Sequence, residues 1–303
     1  MEKVIIYGIG TYGEQAYNFF HTCEEFKIVG VGDSDINKIG TKFHEYGILS
    51  PENVFKQDYD FVLLCMARWD QALIKMHELN IDTKKIRVWD GKIKELVEVG
   101  TKCVHSQDGE DLFLSERFAG VNDGVYVDVG AYHPIRFSNT FWAYKRGWRG
   151  INIEPNPDGI AVFDLLRPTD ININCGVSNV CGNMQYYKFR EAALNTFNYE
   201  RVKYLEKLDY KVEGVIRVPV VPLQSILDKY SISKINFLDI DVEDNELEVL
   251  QGLDFDKVDI DLILVEQLDM NLQEIIDSSV AKLLLQHGYM PKQKLNRTVI
   301  YEK

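Results

Sequence analysis

The stretch that decides the fold is Val125-Tyr126-Val127-Asp128-Val129-Gly130-Ala131-Tyr132-His133-Pro134. Val125, Val127 and Val129 alternate as β-branched residues of a buried strand, and Gly130 lets the backbone turn tightly and approach a ligand. A second run, Gly150-Ile151-Asn152-Ile153-Glu154-Pro155, ends in a carboxylate, and residues 139–146 between the two read as a helix. Strand, helix, strand, acid opens a doubly wound sheet, in which ligands sit beyond the carboxyl ends of the strands and the acid grips both hydroxyls of a ribose. A nucleoside-bearing cofactor is therefore expected, held by Asp128, Gly130, Ala131 and Glu154. Tyr132, His133 and Pro134 fill the space where a pyrophosphate needs glycines, which favours S-adenosylmethionine over NAD.

Downstream, residues 160–165 read as a helix and 170–174 as a third strand, whose loop offers Ser178 and Asn179 either to an adenine or to a polar turn. Residues 182–189 suit an extra strand and 199–208 a helix. Tyr186, Tyr187, Phe189, Phe197 and Tyr199 there either stack on a sugar ring or pack in the core. Pro219 and Pro222 point to an edge position for residues 215–223, with a helix at 223–230. The run Ile235-Asn236-Phe237-Leu238-Asp239-Ile240-Asp241 is a fourth strand, residues 244–250 a helix, and 260–266 a fifth strand ending in Glu266. Residues 272–285 read as one helix and 298–301 as the closing strand of an antiparallel hairpin.

Asp239, Asp241, Glu243 and Glu266 thus fall at strand ends on the cofactor rim. Crowded carboxylates there either raise the pKa of one member for acid/base work, bind a divalent cation such as Mg²⁺, or pair with Arg136 or Lys145. Glu243 equally suits the acidic first turn of a helix. His133 is either the base that removes an acceptor proton or a hydrogen-bonded turn histidine.

Ahead of this lies Val4-Ile5-Ile6-Tyr7 followed by Gly8-Ile9-Gly10-Thr11-Tyr12-Gly13, a glycine turn between a strand and a helix, the setting in which such a turn receives phosphate. Asp33 closes a second strand twenty residues after Gly13, where a ribose contact is expected. Strands at 61–65 and 86–89 and a helix at 70–79 complete about half a dinucleotide fold, with Gly8, Gly10, Gly13 and Asp33 as a second nucleotide site. Residues 110–118 are expected to form a helix covering the sheet through Leu112, Phe113 and Phe118. The expected domains are 1–100 and 101–303.

The 303 residues are 46% hydrophobic and 27% charged with a net charge of −13, ordinary for a soluble globular chain and unsuited to a broad nucleic-acid surface. The five cysteines are scattered without a C-x-x-C pair, which suggests reduced thiols and no zinc site. No apolar run is long enough to span a membrane, so a cytoplasmic location is expected.

Several blocks in one order resemble the FkbM family of S-adenosylmethionine-dependent methyltransferases. They are Ser106-Gln107-Asp108-Gly109-Glu110-Asp111, Val127 to Pro134, Arg136-Phe137-Ser138-Asn139-Thr140, Gly147 to Pro155, Arg167-Pro168-Thr169-Asp170, and Phe237-Leu238-Asp239-Ile240-Asp241-Val242-Glu243. The family commonly follows Val-Glu with Gly, whereas Asp244 and Asn245 follow here. Residues 1–92, with Lys3-Val4-Ile5-Ile6-Tyr7-Gly8 and Leu49-Ser50-Pro51-Glu52, are similar to the small domain preceding the transferase part of bacterial sugar-modifying enzymes, where a nucleotide-sugar is sometimes the ligand. The resemblance implies a class I, Rossmann-like α/β methyltransferase domain behind a smaller Rossmann-like domain. It implies O-methylation of a sugar, nucleotide-sugar or polysaccharide precursor. The residues alone leave two alternatives: an NAD-dependent oxidoreductase working through the first glycine turn, and a non-catalytic nucleotide-binding assembly protein. Neither oligomeric state nor acceptor identity is written in the sequence.

Overall fold

A computed structural model describes residues 1–66, 69–90, 95–98 and 104–303, and the chain divides into two units, Met1–Cys103 and Val104–Lys303. The boundary expected near residue 100 lies outside the described residues. No helix among the described residues is long and apolar enough to cross a membrane.

The first unit runs β1 (Glu2–Tyr7), α1 (Thr11–Thr22), β2 (Phe26–Gly32), β3 (Lys42–Phe43), β4 (Tyr46–Leu49), α2 (Pro51–Val54), β5 (Phe61–Leu64), α3 (Asp70–Glu78), β6 (Ile86–Asp90) and β7 (Glu95–Glu98). Its sheet has seven strands in the order β3-β4-β2-β1-β5-β6-β7. The sequence reading missed β3, β4 and β7, because two-residue and half-polar strands carry too few apolar positions to show a period. The strands that were expected occupy the middle of this sheet, where Val4, Ile5 and Ile6 are fully buried.

The second unit begins with α4 (Glu110–Arg117), β8 (Val125–Val129), α5 (Phe141–Lys145), β9 (Arg149–Ile153), α6 (Pro157–Leu166) and β10 (Ile171–Ile173). There follow β11 (Gly176–Val177), β12 (Gly182–Phe189), α7 (Tyr199–Lys207), β13 (Val212–Val221), α8 (Leu223–Tyr230), β14 (Lys234–Ile240) and α9 (Glu246–Gln251). It closes with β15 (Asp259–Glu266), α10 (Leu272–Asp277), α11 (Ser279–Gln286), β16 (Met290–Leu295) and β17 (Thr298–Glu302). The main sheet has the order β10-β9-β8-β14-β15-β17-β16. Only β17 runs against the others, antiparallel to both its neighbours β15 and β16, so this is the mostly parallel class I methyltransferase sheet. The order reverses between β8 and β14, and that crevice is where a doubly wound sheet takes its ligand.

Three expectations need correction. The extended segment with Pro219 is the middle strand of a separate three-stranded sheet, β11-β13-β12, and not an edge. β11 pairs only with Val220 and Val221, so most of β13, including Pro219, has a partner on one side alone. The single helix over 272–285 is two helices, because Ser278 leaves the helical conformation and its side chain accepts from the Ala281 N–H as the cap of α11. Leu112 is half exposed, and α4 covers the sheet through Leu114 and Phe118.

Candidate active site

The turn after β8 is stitched into place by its neighbours. The N–H groups of Gly130 and Ala131 donate to the Ile153 carbonyl at 3.0 and 3.1 Å, and Asp241 N–H donates to the Val129 carbonyl at 3.0 Å. Gly130 has φ +84°, and a Cβ there would lie 1.7 Å from the Asp241 carbonyl oxygen. The strand ends of β8 and β14 therefore meet with no room for a side chain. A cavity opens on this junction, lined by Asp128, Gly130, Ala131, Glu154, Asp239, Asp241, Glu243 and Glu266 among others. All eight were expected, and they come together from the ends of four strands.

Parallel register sets Asp128 directly beside Asp239, on the same face of the sheet. Burial pushes Asp128 up to about 6. Burial, then the Asp128 charge, holds Asp239 well above the usual carboxylate range. Asp128 Oδ2 accepts from the Thr140 hydroxyl at 2.7 Å. Thr140 Oγ1 in turn accepts from Arg167 Nη1 at 2.8 Å. Arg167, wholly buried, also donates to Ser138 Oγ at 2.7 Å and to the Pro134 carbonyl. This one cation thus fixes the 134–140 loop, whose Phe137, Ser138 and Asn139 line the cavity. The Arg167-Pro168-Thr169-Asp170 block had been quoted without a role.

Glu154 Oε2 accepts the Tyr132 N–H at 2.8 Å and Oε1 accepts the Asn156 N–H at 2.7 Å. Burial nevertheless raises its carboxyl to about 7. At the far rim, carboxylate oxygens of Asp241, Glu243 and Glu266 lie within 4.8 Å of one another. Burial raises all three. The Asp241 charge then helps carry Glu243 to about 8 and Glu266 to about 11. Glu243 does point into this cluster although it lies beyond the end of β14.

Two cations, Arg201 on α7 and Arg297, face the cluster, and Arg201 Nη2 donates to Glu243 Oε2 at 2.8 Å. The pairings considered with Arg136 and Lys145 do not form: Arg136 meets Glu191 at 3.5 Å, and Lys145 Nζ lies 3.4 Å from His105 Nε2. Glu243 and Asp244 both take left-handed conformations, φ +55° and +74°. This turn is why α9 starts at Glu246 and not at Asp244. Thr196 Oγ1 donates to the Glu243 carbonyl at 2.8 Å and Asn198 Nδ2 to the Asp244 carbonyl at 3.3 Å, which hold the strained turn. Asp244→Gly is accordingly expected to keep or raise stability, whereas the β-branched Asp244→Val costs about 2 kcal/mol in urea denaturation.

Other expected residues lie off the cavity. His133 Nδ1 accepts the N–H groups of Ile135 and Arg136 at 3.0 and 2.9 Å, a turn histidine in this geometry. Asn179 donates to Gln251 Oε1 at 2.8 Å, and neither it nor Ser178 is among the lining residues, whereas Cys175, Gly176 and Val177 are. Of the aromatics, Tyr186 and Phe197 line the cavity, packed on one another at 4.7 Å. Phe189 is buried in core, and Tyr199 is half exposed on α7. The leader acts as a clasp: Asp108 pairs with Arg297 at 2.9 Å and Glu110 Oε1 accepts the Thr298 hydroxyl at 2.8 Å, binding the start of the unit to the β16–β17 hairpin.

In the first unit, Gly13 lies against the Gly8 carbonyl, where a Cβ would come within 2.3 Å, so the helix packs closely on the turn. Gly10, just before α1, has open space around it. Asp33 is buried at the turn, accepting the Ile9 N–H at 3.2 Å and Lys38 Nζ at 3.1 Å.

Comparison with known proteins bears on the chemistry. Residues 1–87 match the C2185-like N-terminal domain. No curated protein matches the chain. Among solved structures, UDP-D-quinovosamine 4-dehydrogenase from Vibrio fischeri is 27% identical, with 33% of this chain and 94% of that chain covered and a TM-score of 0.29. Precorrin-6y C5,15-methyltransferase from Geobacter metallireducens is 12% identical, covers 67% of this chain and 93% of its own, and has a TM-score of 0.31. Scores so low add nothing to the strand order itself. The methyltransferase FkbM domain matches residues 128–290, from the aspartate of the first strand to the start of the closing hairpin and over more than half of the 303 residues. The chain belongs to the FkbM methyltransferase family.

Proposed function

We propose that this methyltransferase modifies a hydroxyl of a sugar, nucleotide-sugar or polysaccharide precursor, with Asp241 taking up the acceptor proton. The observation that carries the reading is the trio of Asp241, Glu243 and Glu266 within 4.8 Å of one another, in the same cavity as the Gly130 turn and Glu154. S-adenosylmethionine, the cofactor that family membership implies, supplies when bound a methyl group on a positively charged sulfur. The residues suit it: the Gly130 turn lines the cavity, Glu154 presents a buried carboxylate to a diol, and the acidic rim favours a cation.

Asp241, whose charge raises both glutamates, is the candidate base; Glu266, raised to about 11, and Glu243, raised to about 8, keep protons beside it, and Arg201 orients Glu243. Gln107, Asn139, Asn245, Arg201 and Arg297 also line the cavity, beside apolar residues such as Phe137, Leu194 and Phe197, a mixture that offers a sugar hydrogen bonds for its hydroxyls and apolar faces for its ring. A panel of nucleotide-sugars and glycans incubated with protein and cofactor is expected to gain one methylene by mass. Transfer confined to amines or thiols would overturn the reading. The same three carboxylates suit Mg²⁺, and loss of transfer in chelator would move the role of Asp241 from base to ligand.

For residues 1–92 the reading is a nucleotide-sugar site on an independently folding domain, supported by the glycine turn and the buried Asp33. Calorimetry on the full chain with UDP-sugars and with NAD checks it, and preference for NAD rejects it.

A further inference from the structure

The three-stranded sheet and its loop supply two buried polar side chains to the cavity that none of the fold's usual cofactor turns accounts for. Asn195 is 6% exposed, and its Oδ1 is committed to the Phe189 N–H at 2.8 Å, which fixes the amide's orientation and turns Nδ2 the other way. Nδ2 lies beside the Tyr186 hydroxyl, which lies in turn beside the Glu154 carboxyl, and among the described residues Nδ2 has no hydrogen-bond partner within 3.5 Å. Tyr186 is 4% exposed and is held on its ring face by Phe197. Its phenol stays well above the usual range, through burial first and the neighbouring Glu154 carboxylate next. Asn195, Tyr186 and Glu154 line the same cavity.

A buried amide donor without a partner is costly, and a ligand oxygen would remove that cost. A ribose diol has the complementary needs. Its two O–H groups donate to Glu154, and its oxygen lone pairs then require donors close to that carboxylate.

We infer that Asn195 Nδ2 and the Tyr186 hydroxyl form a donor pair that meets the ribose hydroxyls of the cofactor beside Glu154, so that the inserted sheet completes the cofactor site. This rests on the methyltransferase reading, and it makes both residues positioning groups for the cofactor.

The test is calorimetry of S-adenosylhomocysteine and its 2′- and 3′-deoxyribose analogues with the full chain, with Tyr186→Phe and with Asn195→Asp. Asn195→Asp keeps an oxygen for the Phe189 N–H and replaces the donor with an acceptor. Each variant is expected to bind S-adenosylhomocysteine about five- to tenfold more weakly, the loss of one hydrogen bond. Removal of a ribose hydroxyl should then cost the variants less than it costs the parent, because the partner is already gone. Unchanged affinity in both variants overturns the inference, as does an equal loss for every analogue, which a merely structural role would produce. No binding of S-adenosylhomocysteine by the parent chain would instead overturn the cofactor reading beneath it. Tyr186→Phe removes one oxygen only and keeps the test open if Asn195→Asp fails to fold.

Discussion

Gly130→Ala is expected to destabilise the second unit by about 3–5 kcal/mol and to abolish binding of S-adenosylhomocysteine. Two separate penalties act at this position. The φ of +84° is strained for any residue with a Cβ, and the added carbon would sit 1.7 Å from the Asp241 carbonyl oxygen. That oxygen belongs to backbone whose N–H is already bonded to Val129, so retreat would break the join between β8 and β14. Gly147→Ala provides the internal comparison, since its φ is +92° but nothing lies within 4 Å of the new carbon. It should cost only about 1–2 kcal/mol, the conformational penalty alone. Urea denaturation of both variants separates the two effects. Equal losses would mean that the collision is relieved at little cost and that Gly130 is needed for its conformation only.

The same junction shows why some of the site could be read from the sequence. Runs such as Val125 to Val129 and Ile235 to Ile240 are apolar except at their ends, so the strand, its end and the carboxylate at that end are declared together. Glu154 and Glu266 close their strands in the same way. Arg201 gives no such sign, because it lies on an amphipathic helix whose buried positions are Val202 and Leu205, and its partner Glu243 is 42 residues away. A cation on a polar face looks solvated until the fold turns it inward. Asn195 is equally silent, one polar residue in a loop of polar residues. Asp244 misled for a different reason: a left-handed turn normally announces itself with glycine, and here contacts from Thr196 and Asn198 hold the conformation instead. Arg167 had one available signal, a lone cation ahead of Pro168 at the end of an apolar helix, a place where a side chain must either reach water or find several acceptors.

The second large effect concerns pH. The unit is expected to lose stability as pH rises from about 5 to 8, the reverse of the usual acid-labile behaviour. Asp128 is raised to about 6, Glu154 and Glu246 to about 7, Glu243 to about 8 and Glu266 to about 11, each by burial first. Unfolding returns these groups to 3.8 for Asp128 and 4.5 for the glutamates, so above pH 4.5 the native state holds protons that the unfolded chain has released. Stability therefore falls across that window by about 1.4 kcal/mol per pH unit for each extra proton held, and the contribution is complete only below the unfolded pKa. The Asp108–Arg297 pair works in the opposite sense but is lost below about pH 4, outside the window. Glu266 faces Asp241, Glu243 and Glu246, with Arg201 and Arg297 the nearby cations. Glu266→Gln keeps the shape and removes the titration, so it should flatten the slope and leave the protein more stable than the parent at pH 8. Asp241→Asn should also relieve the crowding, and it should lower methyl transfer at least about 100-fold by removing the base. Stability and activity then move in opposite directions at adjacent carboxylates, as expected of charges kept for chemistry. Hydrogen exchange of the β8 and β14 amides between pH 5 and 8, alongside transfer rates, checks both. A flat profile in the parent would remove the extra protons, and full activity in Asp241→Asn would remove that residue from proton transfer.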